Sequence, residues 1–410
     1  MHIVIANQWY PPESGWGGVA MYNHTVAHAY RALGHEVTVV ARRNDPHTPA
    51  YSETDGIRIR RLLTRDHYYW RWAPVAGYYS RAAQQLSYSW RVRRTLKRLH
   101  QTQPIDIVEF AEINAEGYFF ARAPWVPFVV RCHTPTFVLR DSLQPDEFSF
   151  DTKIISACEK KMIQDAHALT APSSDMARRI AQATGIASEK VTVVPNPLSL
   201  HVNGNADGSK PKGAENELTV LYVGRIERAK GILVLAKAIP EIIKRVPQAR
   251  FLIAGYDRPT ARGTSQRAEI EQQFAAGAAA NVEFLGAIEQ TKLPSLYERA
   301  DLCVVPALQY ESFSYTCAQA MAAGKPVIAT RIGGMSETVE DGITGLIVEP
   351  DNADELAEAV VDLLKDRERR VNMGCAGREK VLREFDPFKV AQENLLVYTQ
   401  ARRAFEGKAA

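Results

Sequence analysis

Residues 301–306, DLCVVP, and 311–330, ESFSYTCAQAMAAGKPVIAT, decide how this chain folds. The first run is short, apolar and ends on proline, as a strand buried on both faces does. After a loop, Ala318, Ala320, Met321 and Ala322 carry a small-residue helix that stops at Gly324, with Pro326 just beyond. A further apolar run, 326–329, then reads as the next strand. Strand, loop, helix and strand form the repeating unit of a parallel sheet covered by helices. Glu311 falls in the loop, and Gln319 lies eight residues on, within the helix. Backbone N–H groups of 312–316 sit where a helix leaves its first donors without intrahelical partners. With the helix dipole they suit a phosphate or sugar hydroxyls beside a carboxylate. The same pattern also fits an ordinary strand, loop and helix with a glutamate on the surface.

The alternation of apolar runs and amphipathic stretches continues from end to end, so the fold class is α/β. In the first half the expected strands are 2–6, 36–41, 57–62, 105–110, 128–132, 168–171 and 191–194, with helices at 19–33, 78–100 and 153–165. In the second half they are 218–223, 250–254, 282–285, 302–305, 326–329 and 345–348. Between the halves, NGNADGSKPKGAENE (203–217) has no large apolar residue and reads as a flexible loop or linker. A chain of 410 residues exceeds what one hydrophobic core serves, so two domains of roughly 200 residues each are expected. The hinge falls near Asn196.

Hydrophobic residues at 46% and charged residues at 24% are globular values and argue against a disordered chain. Five scattered cysteines without a C-x-x-C pair suit buried thiols in a reducing compartment. No run approaches the ~18 continuous apolar residues of a membrane span, and MHIVIAN carries no basic leader. The expected location is cytoplasmic. A net charge of +3 conceals an asymmetry: residues 58–100 hold eleven Lys or Arg against one acid. Tyr68, Tyr69, Trp70, Trp72, Tyr78, Tyr79, Tyr88 and Trp90 are interleaved with them. Such a mixture suits an anionic acceptor or peripheral contact with the inner face of a membrane, and equally a solvated helix face over an aromatic core. Nucleic acid fits poorly, because the rest of the chain is acidic.

Several further motifs lie at the carboxyl ends of expected strands, where open α/β sheets bind ligands. GRIERAKG (224–231) offers Arg225 and Lys230 beside a glycine opening a helix, a pairing able to hold both phosphates of a diphosphate. GWGGVA (15–20) matches G-x-G-x-x-A, but NQWYPPES separates it from the first strand, whereas a dinucleotide fingerprint needs its glycine at the strand end. An NADP-dependent oxidoreductase, with Arg42 and Arg43 facing a 2′-phosphate, would use this turn. His133 follows the strand at 128–132, and Gly333 and Gly334 with Glu337 form another close-approach loop. There is no D-x-D, no His or Cys cluster with metal spacing, no G-x-S-x-G and no P-loop. No metal or other cofactor is expected, so protein cations must meet any phosphate charge.

In their order and spacing, GRIERAKG, ESFSYTCAQAMAAGKPVIAT and IGGMSETVEDGITGLIVEP (332–350) resemble the donor-binding domain of retaining GT-B glycosyltransferases, and glycosyltransferase family 4 (glycosyl transferases group 1) in particular. GGVA (17–20), HTPT (133–136), LTAPSSDMARRI (169–180) and VVPNPL (193–198) resemble that family's first domain. The resemblance implies two Rossmann-like β/α/β domains facing each other across a cleft. Residues 1–195 would be the acceptor-binding domain, completed by a C-terminal helix within 386–410, and 196–385 the nucleotide-sugar domain. It implies that Arg225 and Lys230 grip the diphosphate and that Glu311 takes sugar hydroxyls. Ser312, Phe313, Ser314 and Tyr315 would meet donor through their loop, Gly17 and Gly18 would cover the diphosphate, and His133 would lie beside the sugar. The family's second glutamate is Gln319 here, which keeps one acceptor oxygen for the ribose but loses the charge. Ser314 stands where glycine is common. The implied activity is transfer from a UDP- or GDP-sugar to a glycan, lipid-linked or small-molecule acceptor, with a weakly catalytic sugar-nucleotide binding protein as the alternative.

Overall fold

The structure is a computed structural model that describes residues 1–63, 81–139, 149–199, 218–257, 265–273 and 278–409. It forms two compact units, Met1–Pro197 with Pro387–Ala410, and Leu198–Asp386. The expected linker at 203–217, and Tyr68, Tyr69, Trp70, Trp72, Tyr78 and Tyr79, lie outside the described residues.

The described residues of the first unit form eight strands: β1 (His2–Ala6), β2 (Glu36–Arg43), β3 (Tyr51–Thr54), β4 (Ile57–Leu63), β5 (Ile107–Ala111), β6 (Phe128–Arg131), β7 (Ala168–Ala171) and β8 (Val191–Val193). They pair in the order β3-β4-β2-β1-β5-β6-β7-β8. All neighbours are parallel except β3 and β4. Central strands such as β1 (HIVIA) and β5 (IVEFA) are buried throughout, because helices cover both faces of a parallel sheet. β3 was not expected. It is a polar edge strand joined to β4 through Asp55 and Gly56, both at positive φ, a two-residue hairpin turn spelled Asp-Gly in the sequence. β5 begins two residues later than its apolar pattern suggests.

The C-terminal helix, Pro387–Ala409, packs into this first unit, burying Val390, Ala391, Val397 and Ala401. A polar network fixes it. The Tyr398 hydroxyl donates to Glu109 Oε2 at 2.7 Å, and Asn394 Nδ2 donates to the Tyr22 hydroxyl at 3.1 Å.

The second unit is a six-stranded, wholly parallel sheet of β9 (Leu218–Val223), β10 (Ala249–Ala254), β11 (Val282–Gly286), β12 (Leu302–Val305), β13 (Val327–Thr330) and β14 (Gly345–Val348). Its order is β11-β10-β9-β12-β13-β14. One face buries Leu235, Ile239 and Ile242 of helix Ile232–Arg245, with Val360 and Leu363 of helix Ala353–Lys365. The other receives Ala318, Ala320, Met321 and Ala322 of helix Tyr315–Ala322. In each sheet the chain order reverses beside one strand, β1 in the first and β9 in the second. Loops leaving the carboxyl ends on either side of such a reversal diverge and make room for a ligand.

Candidate functional site

In the second unit the loops after β9, β12 and β13 converge at that reversal. After β9 the Tyr222 hydroxyl donates to the Arg225 carbonyl at 2.9 Å, and Arg228–Lys230 forms a 3-10 turn ending at Gly231. Gly231 has φ +72°, and a Cβ there would lie 1.6 Å from the Pro306 carbonyl oxygen, so glycine is required by both conformation and space. The loop after β12 is thereby laid against the β9 loop, and Leu308 N–H and Gln309 N–H both donate to the Ala229 carbonyl, at 2.9 and 3.1 Å.

This contact brings together two residues far apart in sequence. Lys230 Nζ forms an ion pair with Glu311 Oε1, both side chains being partly buried. Arg225 is half exposed and pairs with the buried Glu227 carboxylate at 2.8 Å. The loop after β13 closes the group, since Gly334 N–H donates to the Glu311 carbonyl at 2.8 Å. Gly333, at φ +52°, sits so near that a Cβ would come within 2.4 Å of the same oxygen.

Ser312, Phe313 and Ser314 are buried. Phe313 packs edge-on against Tyr315 and Phe385, at 5.2 and 5.1 Å between ring centroids, which fixes the backbone of the loop. Ser314 is the N-cap of helix Tyr315–Ala322 and accepts from Cys317 N–H at 3.3 Å. A glycine there would lack this cap. Gln319, on the helix, accepts from the Tyr297 hydroxyl at 3.1 Å through Oε1.

In the first unit, Gly17 is the N-cap and Gly18 the first residue of helix Gly18–Ala32; both are exposed, and no atom crowds a Cβ at Gly17. His133 is buried, in edge contact with the Tyr22 ring at 5.0 Å, and its Nε2 has no hydrogen-bond partner among the described residues. Burial, followed by the Arg131 guanidinium, holds its pKa well below the ordinary range, so the ring is a neutral imidazole. Arg131 is fully buried. It donates to Asn196 at 2.7 Å and stacks over the Tyr22 ring at 4.6 Å.

Around His133 stand residues that the sequence reading missed. Glu109, Glu112 and Glu116 of EFAEINAEG (109–117), with Glu159 of helix Phe150–Asp165, are all buried. Burial raises the Glu112 pKa to about 7 and the Glu159 pKa to about 8, and raises Glu116 well above the carboxylate range. The signal was three glutamates in eight residues, the first within a buried strand and the other two in the loop after it, which is easily taken for a solvated turn. Among the described residues no group of three or more His, Cys, Asp or Glu side chains is placed to hold a metal ion, and no helix is long and apolar enough to cross a membrane.

Residues 206–380 match the model of glycosyl transferases group 1, and residues 17–197 match that of the glycosyl transferase 4-like domain. A glycogen synthase of Mycobacterium tuberculosis is 27% identical over 417 residues, covering 98% of this chain and 95% of its own. Sucrose-phosphate synthase from Thermosynechococcus elongatus superposes with a TM-score of 0.80 at 24% identity, over 98% of this chain and 99% of the other. HepE of Anabaena in complex with UDP gives 0.71 at 21% identity, over 97% and 100%.

Proposed function

This chain belongs to the GT-B glycosyltransferases of the family 4 type, and from that premise we propose that it moves a sugar from a nucleotide-diphosphate donor to an acceptor hydroxyl with retention of anomeric configuration. The observation that carries the reading is the Lys230–Glu311 pair at the β9/β12 reversal. A cation and a carboxylate held against each other suit a ligand that has phosphate at one end and hydroxyls at the other. The diphosphate takes Lys230 and Arg225, and Glu311 turns to the sugar hydroxyls through charge-assisted hydrogen bonds. The backbone of 312–315 meets sugar or phosphate, and Gln319 receives the ribose. His133, neutral and with Nε2 unpartnered, is assigned to the sugar, and Gly17 and Gly18 to the diphosphate.

In this reaction the bond from the anomeric carbon to the diphosphate breaks with oxocarbenium character. The acceptor oxygen bonds to the same face, and its proton passes to a phosphate oxygen. Arg225 and Lys230 stabilise the charge that develops on the leaving diphosphate, in place of a divalent ion. Uridine is the favoured base, supported by the fold shared with HepE in its UDP complex, with guanosine next.

The acceptor is a glycan, a lipid-linked sugar or a small molecule. Helix Arg81–Thr102 exposes Trp90, Arg94, Lys97 and Arg98 along one side, with Arg94 stacked over Trp90 at 4.6 Å. A cationic, aromatic face of this kind supports peripheral contact with an anionic membrane from the cytoplasmic side. Sedimentation with anionic liposomes at low and high salt tests it, and absence of binding at low salt would remove it. The donor is tested by a thermal-shift screen against UDP, GDP, ADP and their sugars. One nucleotide should raise Tm, and Lys230→Ala should lower turnover of its sugar by on the order of a hundredfold. Turnover at the wild-type rate in that variant would end the assignment.

A further inference from the structure

Glu112, Glu116 and Glu159 each take a backbone N–H from a different loop at the carboxyl edge of the first sheet. Glu116 accepts from Gln8 N–H, after β1, through both oxygens at 3.1 and 2.9 Å. Glu112 Oε2 accepts from His133 N–H, after β6, at 2.8 Å. Glu159 Oε1 accepts from Asn114 N–H, after β5, at 3.0 Å and from the Thr136 hydroxyl at 2.7 Å, while Oε2 accepts from Thr136 N–H at 2.9 Å. The loop from which Glu112 and Glu116 project is itself strained: Asn114 and Ala115 have φ of 60° and 52° without being glycine. Strain of this kind persists where the surroundings over-determine it.

Three buried acids are an expensive way to hold loops. Each sits without an ion-pair partner among the described residues, and the positive charges that act on them are Arg131 on Glu112 and Arg42 on Glu116. A carboxyl brings two oxygens able to accept where an amide side chain brings one, and when protonated it also carries an O–H donor. The arrangement uses that capacity on backbone N–H groups, Thr134 N–H facing the Glu112 carboxyl along with that of His133, and Glu112 Oε1 is buried with no hydrogen-bond partner among the described residues. His133, whose main chain Glu112 holds, likewise has an unpartnered buried Nε2.

We propose that Glu112 is the positioning residue of His133: by capturing the His133 amide it fixes the strand-to-loop turn after β6 and so sets the imidazole against the Tyr22 edge, with Glu116 and Glu159 holding the flanking loops to the same frame. The groups facing this carboxyl are Arg131, Cys132 and His133 from β6 and its loop, Glu116 from its own loop and Glu159 from helix Phe150–Asp165. The structural part of the proposal stands without any donor, and its meaning for turnover rests on the function proposed above.

The test uses the full chain labelled with ¹⁵N-histidine, the His133 ring signal being identified by its loss in His133→Gln. In the wild type that ring should stay neutral as the pH is lowered. Glu112→Gln keeps a carbonyl acceptor and should leave the His133 ring resonances and their titration as they are. Glu112→Ala removes the acceptor and should shift the His133 ring resonances. If Glu112→Ala does not fold, Glu112→Asp serves: it keeps the carboxyl but withdraws the oxygens by one methylene, and should disturb the ring where Gln does not. Unchanged His133 resonances in folded Glu112→Ala, or disturbance by Gln but not by Asp, would overturn the proposal. With UDP-glucose as probe, Ala should lower kcat for UDP release with KM unaltered, and Gln should restore it. A wild type that releases no UDP would count against that donor and leave the histidine result standing.

Discussion

Replacing Gly231 by alanine tests how the two halves of the second unit's site are joined. The φ of +72° costs an L-residue about 1–2 kcal/mol. The added methyl would also lie 1.6 Å from the Pro306 carbonyl oxygen, where about 3.5 Å is an ordinary contact, so the loop after β12 must retreat by nearly 2 Å. Overpacking of this sort costs about 1–3 kcal/mol. The expected loss is therefore about 2–5 kcal/mol. For a domain of this size that lowers Tm by roughly 5–15 °C, read by scanning calorimetry of the full chain. Because the loop after β12 is bonded to the turn that carries Lys230, its retreat should disturb that turn and weaken nucleotide binding even at temperatures where the variant is folded. Gly342→Ala is the control, having φ +76° and open space around its Cβ. It should show the conformational cost alone. Equal destabilisation by the two substitutions, or a Gly231→Ala protein that binds nucleotide like the wild type, would refute the close approach as the reason for glycine.

Three further outcomes follow from the polar interior. The Glu112 and Glu159 pKa values are raised above 4.5 by burial, to about 7 and about 8, so the folded state holds more protons than the unfolded chain in between. Their contribution is complete below about 4.5 and is lost as pH rises through the folded values; Tm should fall from pH 5 to 8.5, and less steeply in Glu159→Gln, whereas a rise would contradict the assignment. Tyr398→Phe removes the 2.7 Å bond to buried Glu109 and should cost about 1–3 kcal/mol in urea unfolding, a loss under about 0.5 kcal/mol refuting that role. Gln319→Glu keeps an acceptor for Tyr297 and adds a charge where the ribose is proposed to bind, so affinity for the nucleotide should rise up to about tenfold in calorimetry; weaker binding would argue against Gln319 as the ribose group.

Much of the fold was legible because parallel sheets impose a simple pattern. Apolar runs of four to six residues, such as HIVIA and LTVLYV, can be buried on both faces only if helices alternate with them, and the sequence supplies those helices. Asp55-Gly56 announced a hairpin as plainly, yet the strand before it, YSET, is polar and has no apolar alternation to reveal it. The site was legible as motifs but not as contacts. Lys230 and Glu311 are 81 residues apart, and their pairing depends on a glycine that lets one loop lie on another. The buried glutamates were opaque for a different reason. Acids are seldom buried, so 109–117 resembles a solvated turn until the sheet order places it between the loops after β1 and β6.

Arg225 and Lys230 are proposed to receive the diphosphate of a nucleotide sugar. Titration calorimetry of the wild type and Lys230→Ala with UDP, GDP and ADP addresses it most directly. One nucleotide should bind the wild type, and the variant should bind it at least about tenfold more weakly, the loss of one charge-assisted hydrogen bond. No binding of any of the three, or equal affinity in the two proteins, would contradict it.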